Sequence, residues 1–263
     1  MDFIKTLFKN KKIILQLGKS DFKNRFASTS LGLIWGFIQP FIFMMTYVIV
    51  FQYILKTGSA GNYPYIVWFL PGMSMWMFLN DSIINASASI RTYSYLVKKV
   101  VFPVDIIPVI SLTSTSIIGF FLFGISIVVC AFVGYFVNVL EFVYLILAAY
   151  ALVITITRFT SAVCTLVPDF TQLLNVLMQL MFWFTPIMWN ISMLEGHQLL
   201  YKIVNCLPFT YLVNGLRRAF TGESHILAMC GIPTIVFWVI VVIMFFWSNY
   251  VFRKNKKDFA DVL

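Results

Sequence analysis

Long apolar stretches with almost no charged residues are the feature that most restricts how this chain folds. A helix needs about 20 apolar residues to cross the hydrocarbon core of a bilayer, because it rises only about 1.5 Å per residue. Stretches of this kind cover approximately residues 33–55, 65–88, 107–134, 140–167, 172–189 and 226–252. The sequence therefore predicts an all-α integral membrane protein with six transmembrane helices.

The composition excludes other classes of protein. Hydrophobic residues make up 60% of the 263 residues and charged residues only 11%, so polar side chains are too few to cover a soluble domain. The aromatic content of 18%, together with the low charge, excludes a disordered chain. The apolar blocks are continuous rather than alternating, which excludes an outer-membrane β-barrel.

The positions of the basic residues predict the orientation of the chain in the membrane. Most lysines and arginines lie before the first predicted helix, between the second and third, or after the sixth. They are Lys5, Lys9, Lys11, Lys12, Lys19, Lys23, Arg25, Arg91, Lys98, Lys99, Arg253, Lys254, Lys256 and Lys257. Short segments rich in positive charge stay in the cytoplasm, so we expect both termini there. The net charge of +9 thus reflects topology and attraction to anionic membrane lipid, and it requires no nucleic-acid partner.

Residues 1–30 have the pattern of an amphipathic helix on the cytoplasmic membrane surface. Polar residues, mostly lysines, recur every three or four positions along one stripe, and an apolar stripe lies opposite. The polar stripe is Lys5, Lys9, Lys12, Gln16, Lys19 and Lys23, and the apolar stripe is Phe3, Leu7, Ile14 and Leu17. The lysines either only anchor and orient the chain, or they also hold a cytoplasmic partner or an anionic headgroup.

The sequence shows no catalytic or metal-binding site. Residues 17–20 look like the end of a phosphate-binding loop, but Ile13 stands where that loop requires glycine. His197 and His225 are far apart, and the four cysteines lack the close spacing of metal ligands. We therefore expect no enzyme activity and no bound metal in this chain alone.

A few polar residues stand inside the predicted helices, where exposure to lipid is costly. Arg158 either pairs with Asp81 or lines a path for an anion. Asn80, Asp81 and Asn85 are close together near the inner end of the second helix, and we expect them mainly to form hydrogen bonds between helices. Each of these residues marks the protein interior or an aqueous path rather than a lipid-facing surface.

Residues 190–224 are too apolar for a solvated loop and follow a helical rhythm that Pro208 interrupts. This pattern predicts two short helices that re-enter the outer leaflet, with their backbone ends buried in protein. Arg217 and Arg218 are then expected at the level of the outer headgroups.

A series of motifs along the chain together resembles one family. The motifs are Lys23 to Phe26, Ser30 to Trp35 with Pro40, Leu70 to Gly72 with Trp76, Leu96 to Pro103 with Pro108, Phe182 to Ile187, and Pro208 to Tyr211. In this order, over nearly the whole chain, they resemble the permease subunits of type-2 ABC exporters of cell-surface polysaccharides, those of wall teichoic acid and of O-antigen.

The resemblance implies a homodimer of this chain joined to two ATP-binding cassette subunits in a bacterial inner (plasma) membrane. The complex would move a glycan linked to polyprenyl diphosphate from the cytoplasm to the outer face. This chain would bind no cofactor, because ATP and Mg²⁺ belong to the partner subunit. Residues 91–101 match the family's coupling helix, which docks on the ATPase, and residues 253–263 would form a cytoplasmic tail. The coupling contacts are expected to be Arg91, Tyr93, Tyr95, Leu96, Lys98 and Lys99.

Aromatic residues of the first and fifth predicted helices are the main candidates for the substrate path under this resemblance. Sugars stack their C–H faces on aromatic rings, whereas their hydroxyl groups need replaceable hydrogen bonds. The path candidates are Trp35, Phe37, Tyr47, Phe51, Arg158, Phe182, Trp183 and Phe184. Lys23 and Arg25, near the inner mouth of this path, are expected to contact the substrate diphosphate.

Three other functions compete with this one. A type-2 exporter of drugs or small lipids shares the topology. A membrane-embedded enzyme would need acids or histidines clustered at one membrane surface, whereas the 10 acids here are scattered. A secondary transporter should show repeated halves and acidic sites near the middle of the membrane, and the sequence has no convincing repeat.

Overall fold

Helices account for most of the residues that the computed structural model describes, namely 2–27, 30–55, 59–60, 63–98, 102–194, 196–222 and 231–263. In chain order they are α1 (Asp2–Lys9), α2 (Lys11–Phe26), α3 (Trp35–Val48), α4 (Tyr65–Thr92), α5 (Ser94–Val97), α6 (Ile107–Phe132), α7 (Val139–Leu166), α8 (Phe170–Phe184), α9 (Gln198–Cys206), α10 (Pro208–Thr221), α11 (Ile232–Asn255) and α12 (Phe259–Val262). Short 3-10 turns cover Gly32–Ile34, Val104–Ile106 and Ile191–Leu194, and a π-helical turn covers Ile49–Ile54. Two short strands, β1 (Ser59–Ala60) and β2 (Tyr63–Pro64), pair antiparallel before α4.

Within the described residues, four helical segments are long and apolar enough to cross a membrane. They are Gly32–Ile54, Val104–Phe132, Val139–Leu166 and Ile232–Asn255. The other two predicted spans, α4 and α8, do not meet both criteria of length and apolarity. α4 has 28 residues but carries many polar side chains, and α8 is apolar but has only 15 residues. The all-α architecture is thus confirmed, while the count of six spans stays a prediction.

The polarity of α4 follows from its position at the centre of the helix bundle. It packs against α6, α7, α8 and α10, and most of its side chains are buried. A helix surrounded by protein needs no lipid-facing apolar surface, and its hydroxyl groups find partners on neighbouring helices. Hydroxyl pairs that join α4 to α6 and α7 are Ser74–Ser126 (2.6 Å), Ser82–Thr115 (2.9 Å) and Ser87–Thr160 (2.5 Å).

Close packing of α4 on α6 depends on Gly119. A Cβ atom at this position would lie 2.6 Å from Cδ2 of the Phe78 ring, which is itself buried. We expect Gly119→Ala to lower the free energy of unfolding by about 1–3 kcal/mol, because the overpacked ring has to shift. Gly124→Ala, on the same helix, is the control, since nothing lies within 4 Å of its added Cβ atom. Unfolding by SDS in mixed micelles measures both, and equal stabilities of the two variants would contradict this packing.

The N-terminal segment forms two helices rather than the single amphipathic helix expected over residues 1–30. The helix is interrupted at Asn10, where the backbone leaves helical values (φ −103°, ψ 17°) and the side-chain amide donates to the Thr6 carbonyl. The predicted apolar stripe packs on protein, since Phe3 and Ile14 are buried and α2 lies along α6. The lysines of the opposite stripe are exposed. This segment therefore belongs to the packed body of the protein, with its charged face outward.

Arg158 is paired with Asp105, not with Asp81, so the predicted pairing was wrong. Its guanidinium donates to a carboxylate oxygen of Asp105 at 2.8 Å, and its side chain is only 3% exposed. Two aromatic rings lie against the same guanidinium, with the Phe3 centroid at 3.9 Å and the Phe252 centroid at 4.3 Å. These rings belong to α1 and α11, so Arg158 joins both of these helices to α7 through cation–π contacts.

The predicted tail, residues 253–263, folds onto the same region. α11 continues to Asn255, and α12 brings Phe259 into edge contact with Phe252, at 5.4 Å between ring centroids. Lys256 donates to the second carboxylate oxygen of Asp105. The two ends of the chain therefore meet in one cluster around this aspartate.

The two short helices predicted within residues 190–224 are present as α9 and α10, and the chain leaves helical geometry between them at Leu207. Pro208 then stands at the first position of α10, where a missing N–H costs no helical hydrogen bond. Residues 223 and 224 lie outside the described residues.

Arg217 departs most from the prediction for this segment. The sequence predicts it at the outer headgroups, but the side chain lies in the interior and the residue is only 4% exposed. Its guanidinium donates to the main-chain carbonyls of Trp68 (3.0 Å), Pro186 (2.5 Å) and Ile187 (2.5 Å). It also stacks 3.6 Å from the centroid of the Trp68 ring. Arg217 thus links α10 to α4 and to the chain that follows α8.

Candidate functional site

An open cavity of about 890 Å³ lies between α3 and the helices α2, α4 and α6. We call it the large cavity. An arginine, several aromatic rings, two amides and a carboxylate contribute to its walls. These residues include Arg25, Trp35, Gln39, Tyr47, Phe51, Asp81 and Asn85. The large cavity thus combines a cationic group with apolar ring faces.

A second cavity of about 370 Å³, the small cavity, adjoins the first between α3, α4 and α8. The two cavities share Phe43, Tyr47, Met77 and Asp81. The other walls of the small cavity are aromatic rings, amides and two methionines. These residues include Trp76, Asn80, Asn175, Gln179, Phe182 and Trp183. The two cavities therefore form one groove, with the arginine in the large cavity and amide groups in both.

The structure brings together several of the residues predicted for the substrate path. Trp35, Tyr47 and Phe51 line the large cavity, and Phe182 and Trp183 line the small one. They come from α3, its π-helical extension and α8, the first and fifth predicted spans. These two helices are far apart in the sequence, so only the packing of both on α4 places their rings around one groove.

Other predicted residues lie away from both cavities. Phe37 is on another side of α3, in edge contact with Phe22 and Phe121. Phe184 is 55% exposed at the end of α8, and Arg158 is buried in the cluster of the two termini. Helix geometry explains the first case, because a residue two positions after the cavity-lining tryptophan points about 200° away from it.

Arg25, rather than Lys23, reaches the large cavity. Arg25 is held by Asp21, one turn earlier on α2, in an ion pair of 2.9 Å, and it donates to the Ser111 hydroxyl of α6 at 3.0 Å. Lys23 is exposed and lines neither cavity. A guanidinium fixed in this way presents oriented N–H donors, an arrangement suited to phosphate oxygens.

Asp21 also connects α2 to the segment predicted to couple with an ATPase. Its second carboxylate oxygen accepts a hydrogen bond from the hydroxyl of Tyr93, which follows α4. Burial, together with this hydrogen bond, raises the pKa of Tyr93 above its ordinary value, so the hydroxyl remains a donor at neutral pH. A chain of polar contacts therefore runs from Tyr93 through Asp21 to Arg25 in the large cavity.

The predicted coupling segment, residues 91–101, is not one continuous helix. α4 extends to Thr92, the chain turns at Tyr93, and α5 adds a single helical turn. The predicted contact residues that are exposed are Arg91, Tyr95 and Lys98. Leu96 is buried, and Lys99 lies outside the described residues. The exposed residues leave a basic and aromatic surface next to α5.

The site residues predicted from the sequence do not include Asp21, Asn175 or Gln179. Asp21 and Arg25 are four residues apart, which is the spacing of an ion pair within a helix and so a usable signal. Asn175 and Gln179 are also four apart, and amides at this spacing in a mostly apolar helix indicate a polar face. Neither pattern says what the residues face, because that depends on which helices pack beside them.

The groups that could carry metal or redox chemistry are not gathered at the groove. Within the described residues, no three or more His, Cys, Asp or Glu side chains are placed to hold a metal ion. Cys130 and Cys164 are buried free thiols, and Cys206 is also free. His225 and Cys230 lie outside the described residues. What the groove offers is a guanidinium, amides, a carboxylate and rings, which bind and guide a ligand.

Comparison with known proteins identifies a family and several relatives. The model of the family described as ABC-2 type transporter matches residues 13–221, a range that includes both cavities. The O-antigen export system permease protein RfbA of Myxococcus xanthus is 20% identical over 266 residues, which cover 98% of each chain. A protein of the same name from Klebsiella pneumoniae is 27% identical over 96 residues, which cover 36% of each chain.

Proposed function

The chain belongs to the ABC-2 type transporter family, and from this premise we propose that it is the transmembrane subunit of an ATP-driven polysaccharide exporter. The substrate is a glycan of O-antigen or wall teichoic acid type, linked to polyprenyl diphosphate and moved from the cytoplasm to the outer face. The observation that carries the proposal is the large cavity, where Arg25 meets the aromatic residues of α3. The relatives named as O-antigen export permeases support the substrate class.

The large cavity has the groups that a lipid-linked glycan requires. The Arg25 guanidinium offers paired N–H donors to the diphosphate oxygens. Trp35, Tyr47 and Phe51 offer ring faces on which the C–H faces of sugars stack. Stacking on rings holds a sugar without fixing it through many directed hydrogen bonds, so successive units of a polymer can pass.

For this function, α4 and α8 cross the membrane together with the four long apolar segments. Six helices then cross a bacterial inner membrane, and both termini are cytoplasmic. At about 1.5 Å per residue, the 28 residues of α4 extend about 42 Å, which exceeds the hydrocarbon core. The 15 residues of α8 reach only about 22 Å. The chain after α8 therefore turns within the outer leaflet, and α9 and α10 re-enter the membrane there. Basic residues lie at the opposite, cytoplasmic ends of the spans, which supports cytoplasmic termini.

Energy for transport comes from a partner protein. Two copies of this chain join two ATP-binding cassette subunits, which bind ATP and Mg²⁺, and this chain binds no cofactor. The exposed Tyr95 and Lys98 contact the ATPase, with Arg91 beside them. Tyr93 connects that surface through Asp21 to Arg25, so movement of the partner reaches the large cavity through a short chain of contacts.

The reconstituted complex of the permease with its ATPase tests this function. We expect polyprenyl diphosphate carrying an oligosaccharide to stimulate ATP hydrolysis by the complex in lipid nanodiscs. The permease alone should hydrolyse no ATP and move no glycan, because it lacks a nucleotide site. Stimulation by hydrophobic drugs, with no response to the lipid-linked glycan, would instead identify an exporter of drugs or small lipids.

A further inference from the structure

The small cavity contains two amide side chains from α8, a helix that is mostly apolar. Asn175 and Gln179 are one turn apart on α8, and Phe182 follows one turn later on the same face. The other side of α8 exposes apolar residues, which include Leu173, Leu177 and Leu180. α8 therefore presents a polar face to the groove and an apolar face away from it.

The two amides of α8 are left for a ligand or water to satisfy. Neither the Asn175 nor the Gln179 side chain makes a hydrogen bond with another residue in the part of the chain that the structure describes. An amide at membrane depth is stable only when water, protein or a ligand satisfies its donors and its acceptor. The small cavity is therefore adapted to a hydroxyl-rich occupant rather than to hydrocarbon.

The other walls of the small cavity have complementary chemistry. Asn80 and Asp81 of α4 add further hydrogen-bonding groups, and Trp76, Phe182 and Trp183 supply ring faces. Amides and carboxylates pair with the hydroxyl groups of a sugar, and aromatic rings pack on its C–H face. A lipid tail or a flat hydrophobic drug would leave these polar groups without partners.

We infer that the small cavity is a sugar-binding subsite, which holds the glycan units next to the diphosphate bound at Arg25. The inference rests on the proposed function and adds the residues that recognise the glycan itself. Tyr47 and Asp81 line both cavities, so a ligand with its diphosphate at Arg25 directs its first sugars toward α8.

A double variant, Asn175→Ala with Gln179→Ala, tests the subsite in the complex with its ATPase in nanodiscs. The probes are polyprenyl diphosphate carrying a short oligosaccharide and polyprenyl diphosphate alone. We expect the concentration of the glycan-bearing probe that half-maximally stimulates ATP hydrolysis to rise about tenfold, as for the loss of one net hydrogen bond. The response to bare polyprenyl diphosphate should not change, because that probe engages only Arg25. Trp183→Ala should act in the same direction.

Gln172→Ala is the matched control, since Gln172 is an exposed amide on α8 that lines neither cavity. If the half-maximal concentration rose equally for both probes, or for neither, the subsite would be contradicted but the proposed function would not. Loss of the permease dimer on size-exclusion chromatography would assign the amides to contact between two copies and would overturn the subsite as well. A wild-type complex that responds to neither probe would instead refute the proposed function, and the subsite with it.

Discussion

Replacing Arg217 with leucine is expected to prevent the protein from accumulating in a folded state. The substitution removes the donor for three buried carbonyls, those of Trp68, Pro186 and Ile187. A buried carbonyl that loses a donor costs about 1–3 kcal/mol, so the loss at three carbonyls totals about 3 kcal/mol or more. The loss of the stacking contact with the Trp68 ring adds to this cost.

These carbonyls depend on Arg217 because the helices around them are irregular. Pro71 has no N–H to donate to the carbonyl of Val67, so the turn of α4 that contains Trp68 lacks one helical hydrogen bond. Pro186 and Ile187 follow the end of α8, where carbonyls have no helical partner. Gly72 allows the close approach, since a Cβ atom there would lie 2.6 Å from Nε of the arginine.

Fluorescence-detected size-exclusion chromatography of detergent extracts measures the expected loss of folded protein. Arg218→Leu is the control, because Arg218 is the adjacent arginine on α10 and is only half-buried. Arg217→Lys should recover little, since an ammonium group cannot direct donors to three separate carbonyls. If Arg217→Leu had the same yield and elution volume as the wild-type protein, Arg217 would not be needed to hold these three carbonyls.

Reversing the charge of Arg25 is expected to lower glycan export about 100-fold without unfolding the permease. A hydrogen bond to a charged group contributes about 1.5–3 kcal/mol, and a glutamate at this position also repels the diphosphate. The large cavity then retains its aromatic walls but loses the cation that engages the anionic part of the substrate. The amount of polymer at the cell surface, corrected for permease abundance, measures the effect.

Two controls separate the role of Arg25 in the groove from its ion pair. Lys23→Glu changes the charge by the same amount two residues away, at an exposed position outside both cavities, and should leave export near the wild-type level. The swapped pair, Asp21→Arg with Arg25→Glu, restores opposite charges on α2 but not the cation in the groove. Export restored by the swap would show that the ion pair alone matters and would contradict diphosphate binding at Arg25.

The positions of the main helices follow closely from the sequence. The predicted span 107–134 corresponds to α6, Ile107–Phe132, and the predicted span 140–167 corresponds to α7, Val139–Leu166. The break before Pro208 was also correctly predicted. Such features are local, because they depend on the number of consecutive apolar residues and on the missing N–H of a proline, both of which lie within one segment of the chain.

The partners of the buried charged residues did not follow from the sequence. Arg158 selects Asp105 rather than Asp81, although both acids lie near the inner ends of predicted helices. The sequence predicts Arg217 at the outer headgroups, on a short helix that re-enters the outer leaflet, yet α4 and the chain after α8 enclose it. In both cases the choice is made by helices that are distant in the sequence.

The amino-acid sequence by itself determined that this protein is a bundle of membrane helices with a basic, amphipathic N-terminal segment. It also supplied the aromatic residues and Arg25 as candidates for the substrate path. Only the tertiary structure decided that Arg25, Trp35, Tyr47 and Trp183 border one groove while Phe37 does not. The reason is that helical periodicity specifies which residues share one face of a helix. Which other helix packs on that face depends on segments that are distant in the sequence.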